Sequence, residues 1–493
     1  MTEREFDVVV IGAGPVGENV ADRAVQGGLT AAIVEGELVG GECSYWACMP
    51  TKALLRPGAA LRAARSVPGA REAFGAPLDA EAVLHFRDKA TSGWDDAGQV
   101  SWLDSAGITL VRGHGRIAGA RRVEVKAPDG SVETLVARHA VAVCTGTSAV
   151  IPGIPGLADA SPWTNREAAA AQAVPERLVI VGGGVVAAEF ATAFSSLGSH
   201  VTMLVRGEAL LTANEPFAGE LVLAALREEG VDVRTETSAT RIERTADGSL
   251  TISLGDSADA EELQADEILI ATGRHPRTDD IGLDSIGLET GRSLETDDTL
   301  RVLSADGKPI GVGGDGPGWL YAVGDVNGRV LLTHQGKYQA RAAGDVIAAR
   351  ALGQPVDDSP WGRHVATADH AAVPQVVFTE PEVAAVGITA AEAERAGREV
   401  TVVDYDLHNV AGASVTAQGY TGRARLIVDP ATRTVVGATF VGAGVADLLH
   451  SATIAVVGEV PIERLWHAVP SYPTLSEVWL RLLEALGRDT ATP

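Results

Sequence analysis

The sequence predicts an α/β fold in which two Rossmann-like dinucleotide-binding units are joined to a C-terminal α+β domain. Three observations support this prediction. A strand, a glycine-rich turn, a helix and a second strand open the chain, the same pattern returns near residue 178, and alternating strands follow after about Trp361. With 493 residues, the chain is long enough for about three domains at roughly 150 residues each.

The first pattern begins with an apolar strand at residues 7–11. Gly12, Gly14 and Gly17 follow this strand, and after the predicted helix a second strand ends in Glu35. The glycines allow a tight turn and let a pyrophosphate approach the N-terminus of the helix, while the acid accepts hydrogen bonds from a ribose. The sequence therefore predicts a dinucleotide site in the first domain.

The second pattern places Gly182, Gly184 and Ala187 after an apolar strand, and its next strand ends in Arg206. Two such patterns in one chain suggest one flavin and one nicotinamide dinucleotide. An acid at the end of the second strand would repel a 2′-phosphate, whereas Arg206 can pair with one, so NADPH is favoured and NADH stays open. The plainer interpretation of Arg206 is a solvated surface residue.

Cys43 and Cys48 form a C-x4-C pair directly after the first unit begins, in a chain with only three cysteines. Two thiols at this spacing lie near one another when the segment enters a helix, so that one can attack an external disulfide while the other faces a bound ring. Lys52 follows four residues later on the same predicted helix face. A thiolate at a helix N-terminus is stabilised by the dipole and by nearby cations. The spacing indicates two-electron transfer through a dithiol.

Composition and charge limit the classes of binding partner and the cellular compartment that we expect for this protein. The net charge of −25 argues against nucleic acid and against an anionic membrane surface as partners. The charged N-terminus does not look like a secretory signal, and no apolar run approaches the ~20 residues of a membrane span. Three cysteines are too few for a secreted disulfide scaffold. We therefore expect a cytoplasmic enzyme with a small-molecule substrate.

Taken in order, these landmarks resemble the flavoprotein disulfide reductases of the pyridine-nucleotide class, which include dihydrolipoamide dehydrogenase, glutathione reductase and mercuric reductase. The resemblance covers nearly the whole chain. It is carried by the first glycine turn, the cysteine pair with Pro50 and Lys52, residues 113–115, the second glycine turn with Glu189, and residues 271–274, 324–325, 377–382 and 473–477.

The resemblance implies FAD in the first unit, NAD(P)H in the second, and a homodimer in which each C-terminal segment completes the partner's active site. The implied domains are residues 1–153 and 280–359 for FAD, 154–279 for NAD(P)H, and 360–493 for dimerisation. No metal site is implied.

The resemblance also implies a role for each site residue. Cys48 is the charge-transfer thiol beside the flavin, Cys43 is the interchange thiol that meets substrate, and Lys52 lies near the flavin and pairs with Glu189. The expected cofactor-binding residues are Gly12, Gly14, Gly17, Glu35, Gly41, Lys52, Gly115, Thr145, Gly146, Gly324, Asp325, Gly182, Gly184, Ala187, Arg206 and Gly273.

The C-terminal motif departs from the family pattern, which has a histidine acid/base where this chain has Tyr472. Tyrosine titrates near ~10 and histidine near ~6.5, so at neutral pH Tyr472 is a proton donor and a poor base. Glu477 is expected to hydrogen-bond Tyr472 or to cap the last helix. His467 is an alternative base, although a structural or surface role is the simpler interpretation.

The residues between the cysteines, Tyr45 and Trp46, are also bulkier than the family pattern. They either pack around the pair or reshape the substrate face for a flat molecule. The predicted function is NADPH-dependent reduction of a small disulfide. In an alternative, the flavin enzyme acts on a quinone, a metal ion or a biosynthetic intermediate with a non-standard acid/base; a non-enzymatic redox-sensing module is a third interpretation.

Overall fold

The computed structural model describes residues 2–255, 257, 259–311 and 318–488. The chain divides into two compact units, each assembled from segments that are distant in sequence. The first unit contains the described residues of Met1–Met49, Asp88–Ala149 and Gly273–Asp369, and the second those of Pro50–Arg87, Val150–Thr272 and His370–Pro493. The four domain ranges expected from the sequence stay a prediction.

Strands occur in both units. In chain order they are β1 (Thr2–Ile11), β2 (Ala31–Glu35), β3 (Thr109–Arg112), β4 (His114–Ile117), β5 (Arg122–Lys126), β6 (Val132–Val143), β7 (Thr147–Ala149), β8 (Arg177–Val181), β9 (His200–Leu204), β10 (Asp232–Arg234), β11 (Arg241–Arg244), β12 (Leu250–Ser253), β13 (Glu262–Ala265), β14 (Glu267–Ile270), β15 (Arg274–Pro276), β16 (Leu320–Ala322), β17 (Pro374–Val377), β18 (Glu382–Gly387), β19 (Thr401–Asp406), β20 (Gly422–Asp429) and β21 (Thr434–Gly442).

The α-helices vary from single turns to five turns. In chain order they are α1 (Pro15–Gln26), α2 (Gly41–Tyr45), α3 (Cys48–Arg65), α4 (Ala70–Ala73), α5 (Ala80–Ala90), α6 (Ala97–Ser105), α7 (Asn165–Ala169), α8 (Val185–Ser196), α9 (Pro216–Glu228), α10 (Thr333–Ala351), α11 (Ala368–Ala371), α12 (Ala390–Arg395), α13 (Ala411–Thr416), α14 (Leu449–Val457), α15 (Ile462–Leu465) and α16 (Val478–Leu486). Within the residues described, none of these helices is both long and apolar enough to cross a bilayer.

The main sheet of the first unit has the strand order β3-β2-β1-β6-β5-β4, and β16 also pairs with β6. β1, β2, β3, β6 and β16 run parallel, whereas β4 and β5 form antiparallel pairs. Because side chains alternate along a strand, Val8 and Val10 face one core cluster with α1 and α10, while Val9 and Ile11 face another. The glycine turn between β1 and α1 lies at the carboxyl edge of this sheet, where such folds bind ligands.

The second unit contains a parallel sheet of order β10-β9-β8-β14 and an antiparallel sheet of order β17-β18-β21-β20-β19. The apolar helix α8 lies against the parallel sheet, with Phe190 and Phe194 buried beside Leu178 and Ile180. The predicted fold class is therefore confirmed. β1 begins five residues earlier than the predicted strand, because residues 2–6 continue its parallel pairing with β6.

Candidate active site

The glycine turn of the first unit leaves room for a close approach to the backbone. Gly12 has a φ of +100°, and a Cβ added there would lie 2.5 Å from the Cys144 carbonyl oxygen. A Cβ added to Gly41 would lie 2.9 Å from the Gly14 Cα atom. Gly14 caps α1 without a side-chain hydrogen bond, so the amide groups of the first turn are available to an anion. These features fit the pyrophosphate of a dinucleotide, and Gly17 completes the close strand–helix approach.

Glu35 ends β2 beside this turn. Its carboxylate accepts hydrogen bonds from the backbone N–H groups of Ala13 and Glu37, both at 2.8 Å. Burial raises the pKa of Glu35, and the two backbone hydrogen bonds oppose the shift. Gly115 lies near the same strand, since a Cβ added there would be 3.1 Å from the Val34 side chain.

Three further expected residues lie in the loops after β6 and β16. The Thr145 hydroxyl donates to the Arg277 carbonyl at 2.8 Å, and Gly146 has a φ of +70° with open space where a Cβ would be. The Asp325 carboxylate accepts from the Thr147 hydroxyl at 2.8 Å, and burial raises its pKa.

Two further glycines of the first unit, Gly324 and Gly273, were expected to bind a cofactor. The Gly324 N–H donates to the Gln339 side chain at 2.8 Å. Gly273 has a φ of +153° and precedes β15, whose Arg274 donates to the Thr147 hydroxyl at 2.6 Å.

Cys43 lies in α2, and Cys48 begins α3. The two cysteines lie near one another in the first unit. The Thr333 hydroxyl, at the start of α10, lies 3.3 Å from the Cys48 sulfur. The hydrogen bond to Cys48 and burial raise the pKa of Cys43, while Thr333 and Lys337 act in the opposite direction. Two thiols that lie near one another are consistent with a redox disulfide.

A turn at residues 92–94, which the sequence analysis did not identify, supports the segment that contains the two cysteines. Ser92, Gly93 and Trp94 all have φ values between +52° and +62°, which is unusual for non-glycine residues. The Trp94 indole N–H donates to the Tyr45 carbonyl at 3.2 Å. Tyr45 is only 2% exposed, and Trp46 is half-buried beside it, so the burial favours a packing role for Tyr45 over a position on the substrate face.

The second unit holds the other glycine turn. Gly182 has a φ of +139° and Gly184 caps α8 without a side-chain hydrogen bond, again leaving amide groups at a helix N-terminus. Ala187 is fully buried in α8. Arg206 follows β9, is exposed, and makes no ion pair with any residue that the structure describes.

Lys52 and Glu189 form an ion pair of 2.7 Å within the second unit. Glu189 is 3% exposed, and its second oxygen accepts the Phe378 backbone N–H at 3.0 Å. The Lys52 ammonium also lies 4.9 Å from the centre of the Phe378 ring. The pairing agrees with the geometry that the resemblance implies, and it fixes the direction of the lysine side chain.

Neither expected contact of Glu477 is formed. Its buried carboxylate accepts the Gly412 N–H at 3.0 Å, and it makes no side-chain cap to α16. Tyr472 is 77% exposed and has no hydrogen bond to the described residues. His467 is likewise exposed. The Gly412 backbone packs closely against the Thr474 backbone, and in this position the Gly412 N–H group is the donor to the Glu477 carboxylate.

Three residues that contact the site were not identified by the sequence analysis, namely Trp94, Arg277 and Thr333. The only sequence signal for Thr333 is its position after the Gly-Asp segment.

The fold and the neighbouring cysteines define a dithiol oxidoreductase with two dinucleotide units. Family models agree: the pyridine nucleotide-disulphide oxidoreductase model matches residues 6–340, and the dimerisation domain model of the same family matches residues 373–482. The chain belongs to the pyridine nucleotide-disulphide oxidoreductase family. Family members use FAD and NAD(P)H and act on sulfur groups, so the predicted enzyme class and cofactors are confirmed.

Curated relatives cover almost the whole chain. A mercuric reductase from Acidithiobacillus ferrooxidans is 32% identical in an alignment that covers 99% of this chain and 83% of that protein. A dihydrolipoyl dehydrogenase from Thermus scotoductus is 31% identical in an alignment that covers 99% of this chain and 98% of that protein. The resemblance predicted from the motifs is thus confirmed.

Solved structures show the same fold at lower identity. LpdA from Mycobacterium tuberculosis has a TM-score of 0.80 and 23% identity, covering 99% of this chain and 100% of its own. The Cu(II) complex of the HOCl-induced flavoprotein disulfide reductase RclA from Escherichia coli has a TM-score of 0.80 and 21% identity, covering 98% of this chain and 99% of its own.

Proposed function

We propose that this enzyme oxidises NADPH and reduces a small disulfide through Cys43 and Cys48. The observation that supports this most directly is that Cys43 and Cys48 lie near one another in the first unit, which also contains the glycine turn between β1 and α1. Overall, NADPH, one proton and R–S–S–R′ yield NADP⁺, RSH and R′SH, so that two electrons pass to the sulfur pair. FAD, when bound, carries these two electrons from the nicotinamide to the enzyme disulfide.

Cys43 is the thiol that attacks the substrate. Its thiolate forms a mixed disulfide with one substrate sulfur, and the other sulfur leaves as R′S⁻ and takes a proton. Cys48 then attacks Cys43, which closes the Cys43–Cys48 disulfide and releases RS⁻, which is also protonated. The position of Cys48 at the start of α3 and its contact with the Thr333 hydroxyl support a stabilised thiolate there.

Cofactor binding is assigned to the two glycine turns. Gly12, Gly14 and Gly17 would hold the FAD pyrophosphate, and Glu35 the adenosine ribose. The other expected FAD contacts of the first unit are Gly41, Gly115, Thr145, Gly146, Gly324 and Asp325. In the second unit Gly182, Gly184 and Ala187 would hold NADPH. Gly273, the remaining expected cofactor contact, belongs to the first unit. The exposed Arg206 without an ion pair supports NADPH over NADH.

Lys52 and Glu189, both in the second unit, are proposed to act as a pair in which Glu189 fixes the position of the lysine ammonium group. Glu189 is buried and accepts both the Lys52 ammonium and a backbone N–H, so the lysine side chain has a fixed anchor.

A homodimer with a shared active site is proposed from the dimerisation-domain match. Tyr472 and its neighbour Val469 are 77% and 85% exposed, which suits residues that meet a second copy. Tyr472 would then act as a proton donor to the leaving thiolate at the partner's site, and Glu477 would hold its segment through Gly412. A monomer in sedimentation of the FAD-loaded protein would contradict this assembly. A cytoplasmic location is proposed from the cysteine usage alone.

A second candidate keeps FAD but sends electrons to a quinone, a metal ion or a biosynthetic intermediate. Tyr472 in place of a basic histidine favours it, because such acceptors need no deprotonation of an incoming thiol. The 32% identity to a protein named mercuric reductase adds support for a metal ion.

Cysteine variants separate the two candidates. We expect Cys43→Ser to lower NADPH-dependent reduction of 5,5′-dithiobis(2-nitrobenzoate) on the order of a thousandfold, because the attacking sulfur is lost. Cys144→Ala, which changes the buried third cysteine, is the matched control and should stay active. Full disulfide turnover by Cys43→Ser would contradict the proposal, and undiminished reduction of a quinone by the same variant would support the second candidate.

A further inference from the structure

The turn that follows β16 lies between the first turns of two helices of the first unit. Gly324 belongs to this turn, and a Cβ added to Gly324 would lie 3.0 Å from the Val16 side chain at the start of α1. α10 reaches the same place, since a Cβ added to Gly336 would lie 2.6 Å from the Val16 side chain and 3.3 Å from the Gly324 Cα atom. The turn therefore packs beside the glycine turn that opens the first unit.

Gln339 of α10 binds this turn from the protein interior, where its side chain is 0% exposed. Its Oε1 atom accepts two hydrogen bonds from the turn, one from the Gly324 N–H and one from the Asn327 side-chain amide, both at 2.8 Å. The Asn327 amide also donates to the Ala322 carbonyl at the end of β16, at 3.2 Å. One amide oxygen therefore ties together both ends of the segment at residues 324–327.

Asp369 accepts hydrogen bonds from the other end of the Gln339 amide. Its side chain is 1% exposed, and its carboxylate accepts from the Gln339 amide nitrogen at 2.9 Å and from the Gln335 amide nitrogen at 2.8 Å. The two glutamines are four residues apart, so they share one face of α10. The Arg329 guanidinium lies 3.7 Å from the carboxylate and supplies the opposite charge that a buried carboxylate requires.

These contacts confine the Gln339 amide to one orientation. A carboxylate only accepts hydrogen bonds, and a backbone N–H only donates them. If the amide were rotated by half a turn, its nitrogen would face the Gly324 N–H and its oxygen would face Asp369. Both hydrogen bonds would then be lost in the protein interior, where an unpaired polar group is costly. Asp369 therefore determines which atom of Gln339 meets Gly324.

We propose that Asp369 and Gln339 are positioning residues for FAD, because they hold the backbone of residues 324–325 in the conformation that receives it. This inference rests on the proposed FAD contacts of Gly324 and Asp325. Gly324 has a φ of +81°, and a glycine has several other conformations open to it, so a hydrogen bond to its N–H selects one of them. On the other side of the turn, the Asp325 carboxylate is held by the Thr147 hydroxyl at 2.8 Å.

The test measures the rate at which the FAD-loaded protein releases FAD after dilution, followed by the fluorescence of free FAD at about pH 9, where an introduced carboxyl group is ionised. We expect Gln339→Met to release FAD about tenfold faster, because its side chain has a similar length but no acceptor for the Gly324 N–H. Gln339→Glu should also release FAD about tenfold faster, because its carboxylate faces that of Asp369. Adding Asp369→Asn to Gln339→Glu should bring the rate to within about threefold of wild type, because the new amide can donate to the new carboxylate.

Asp345→Asn is the matched control. Asp345 is also on α10, where its carboxylate accepts from Arg23 at 2.8 Å and from Arg363 at 2.9 Å, outside the network. We expect this variant to release FAD within about twofold of the wild-type rate, while urea denaturation reports its loss of stability separately. A purely structural role of the network would instead make FAD release follow the free energy of unfolding in every variant, Asp345→Asn included.

Wild-type release rates in both Gln339→Met and Gln339→Glu would overturn the inference. A double variant that releases FAD as fast as Gln339→Glu would overturn the part assigned to Asp369. Asp325→Ala tests the contact on which the inference rests: unchanged release would contradict that FAD contact, whereas faster release beside wild-type rates in the Gln339 variants would contradict the network alone. The proposed disulfide reduction fails separately, if Cys43→Ser retains disulfide turnover.

Discussion

The prediction of cofactor choice depends on a single residue, Arg206. We expect Arg206→Ala to raise the KM for NADPH about tenfold and to leave the KM for NADH unchanged, because a charge-assisted contact to the 2′-phosphate is lost. Steady-state kinetics with both nucleotides measures the effect. Arg241→Ala, which removes an exposed arginine from β11 of the same unit, is the control. Equal KM values for NADPH in wild type and Arg206→Ala would show that Arg206 is only a solvated surface residue.

Cys43, Cys48, Lys52 and Glu189 could be selected from the sequence because they fall within short motifs with fixed spacing. Thr333 could not, because its contact with Cys48 joins residues that are 285 positions apart. The same limit applies to Glu477, whose partner Gly412 lies 65 positions earlier.

At the scale of elements, the cysteine pair depends on a support that lies outside its own segment. Val39 N–H donates to the Asp96 carboxylate at 2.7 Å, and the Gln99 side chain donates to the Ser44 hydroxyl at 3.2 Å. Together with the hydrogen bond from Trp94 to the Tyr45 carbonyl, these hydrogen bonds show that residues 94–99 support the segment that contains the cysteines. Three successive positive φ values are costly and persist only where surrounding contacts enforce them. Sequence patterns do not reveal this turn, because Ser92 and Trp94 are not residues that favour it.

Trp94→Phe tests this support. The substitution keeps an aromatic ring but removes the indole N–H, so the Tyr45 carbonyl loses its donor. We expect the free energy of unfolding to fall by about 1 kcal/mol, measured by urea denaturation. Trp102→Phe, in α6 and 41% exposed, is the matched control and should change stability by less than about 0.5 kcal/mol. Equal stabilities of the two variants would contradict a supporting role for Trp94.

For the whole molecule, the sequence predicted the dinucleotide units and the antiparallel C-terminal sheet. Each of these is built from consecutive strands and helices, whose periodicity is local. The pairing of distant segments in the first unit could not be predicted from such local patterns. β16 pairs with β6 although almost 180 residues separate their ends, and α10 packs on α1 although more than 300 residues separate the two helices. Long-range pairings of this kind leave no period in a single sequence.

The central claim is that electrons from NADPH reach the Cys43–Cys48 pair. An anaerobic titration of the FAD-loaded protein with NADPH, followed by its visible spectrum and by counting alkylated thiols, tests it most directly. At two electrons per FAD we predict two newly alkylated cysteines, Cys43 and Cys48, with a long-wavelength absorbance band from the Cys48 thiolate beside oxidised FAD. Bleaching of the FAD spectrum without that band and without new thiols would contradict the account.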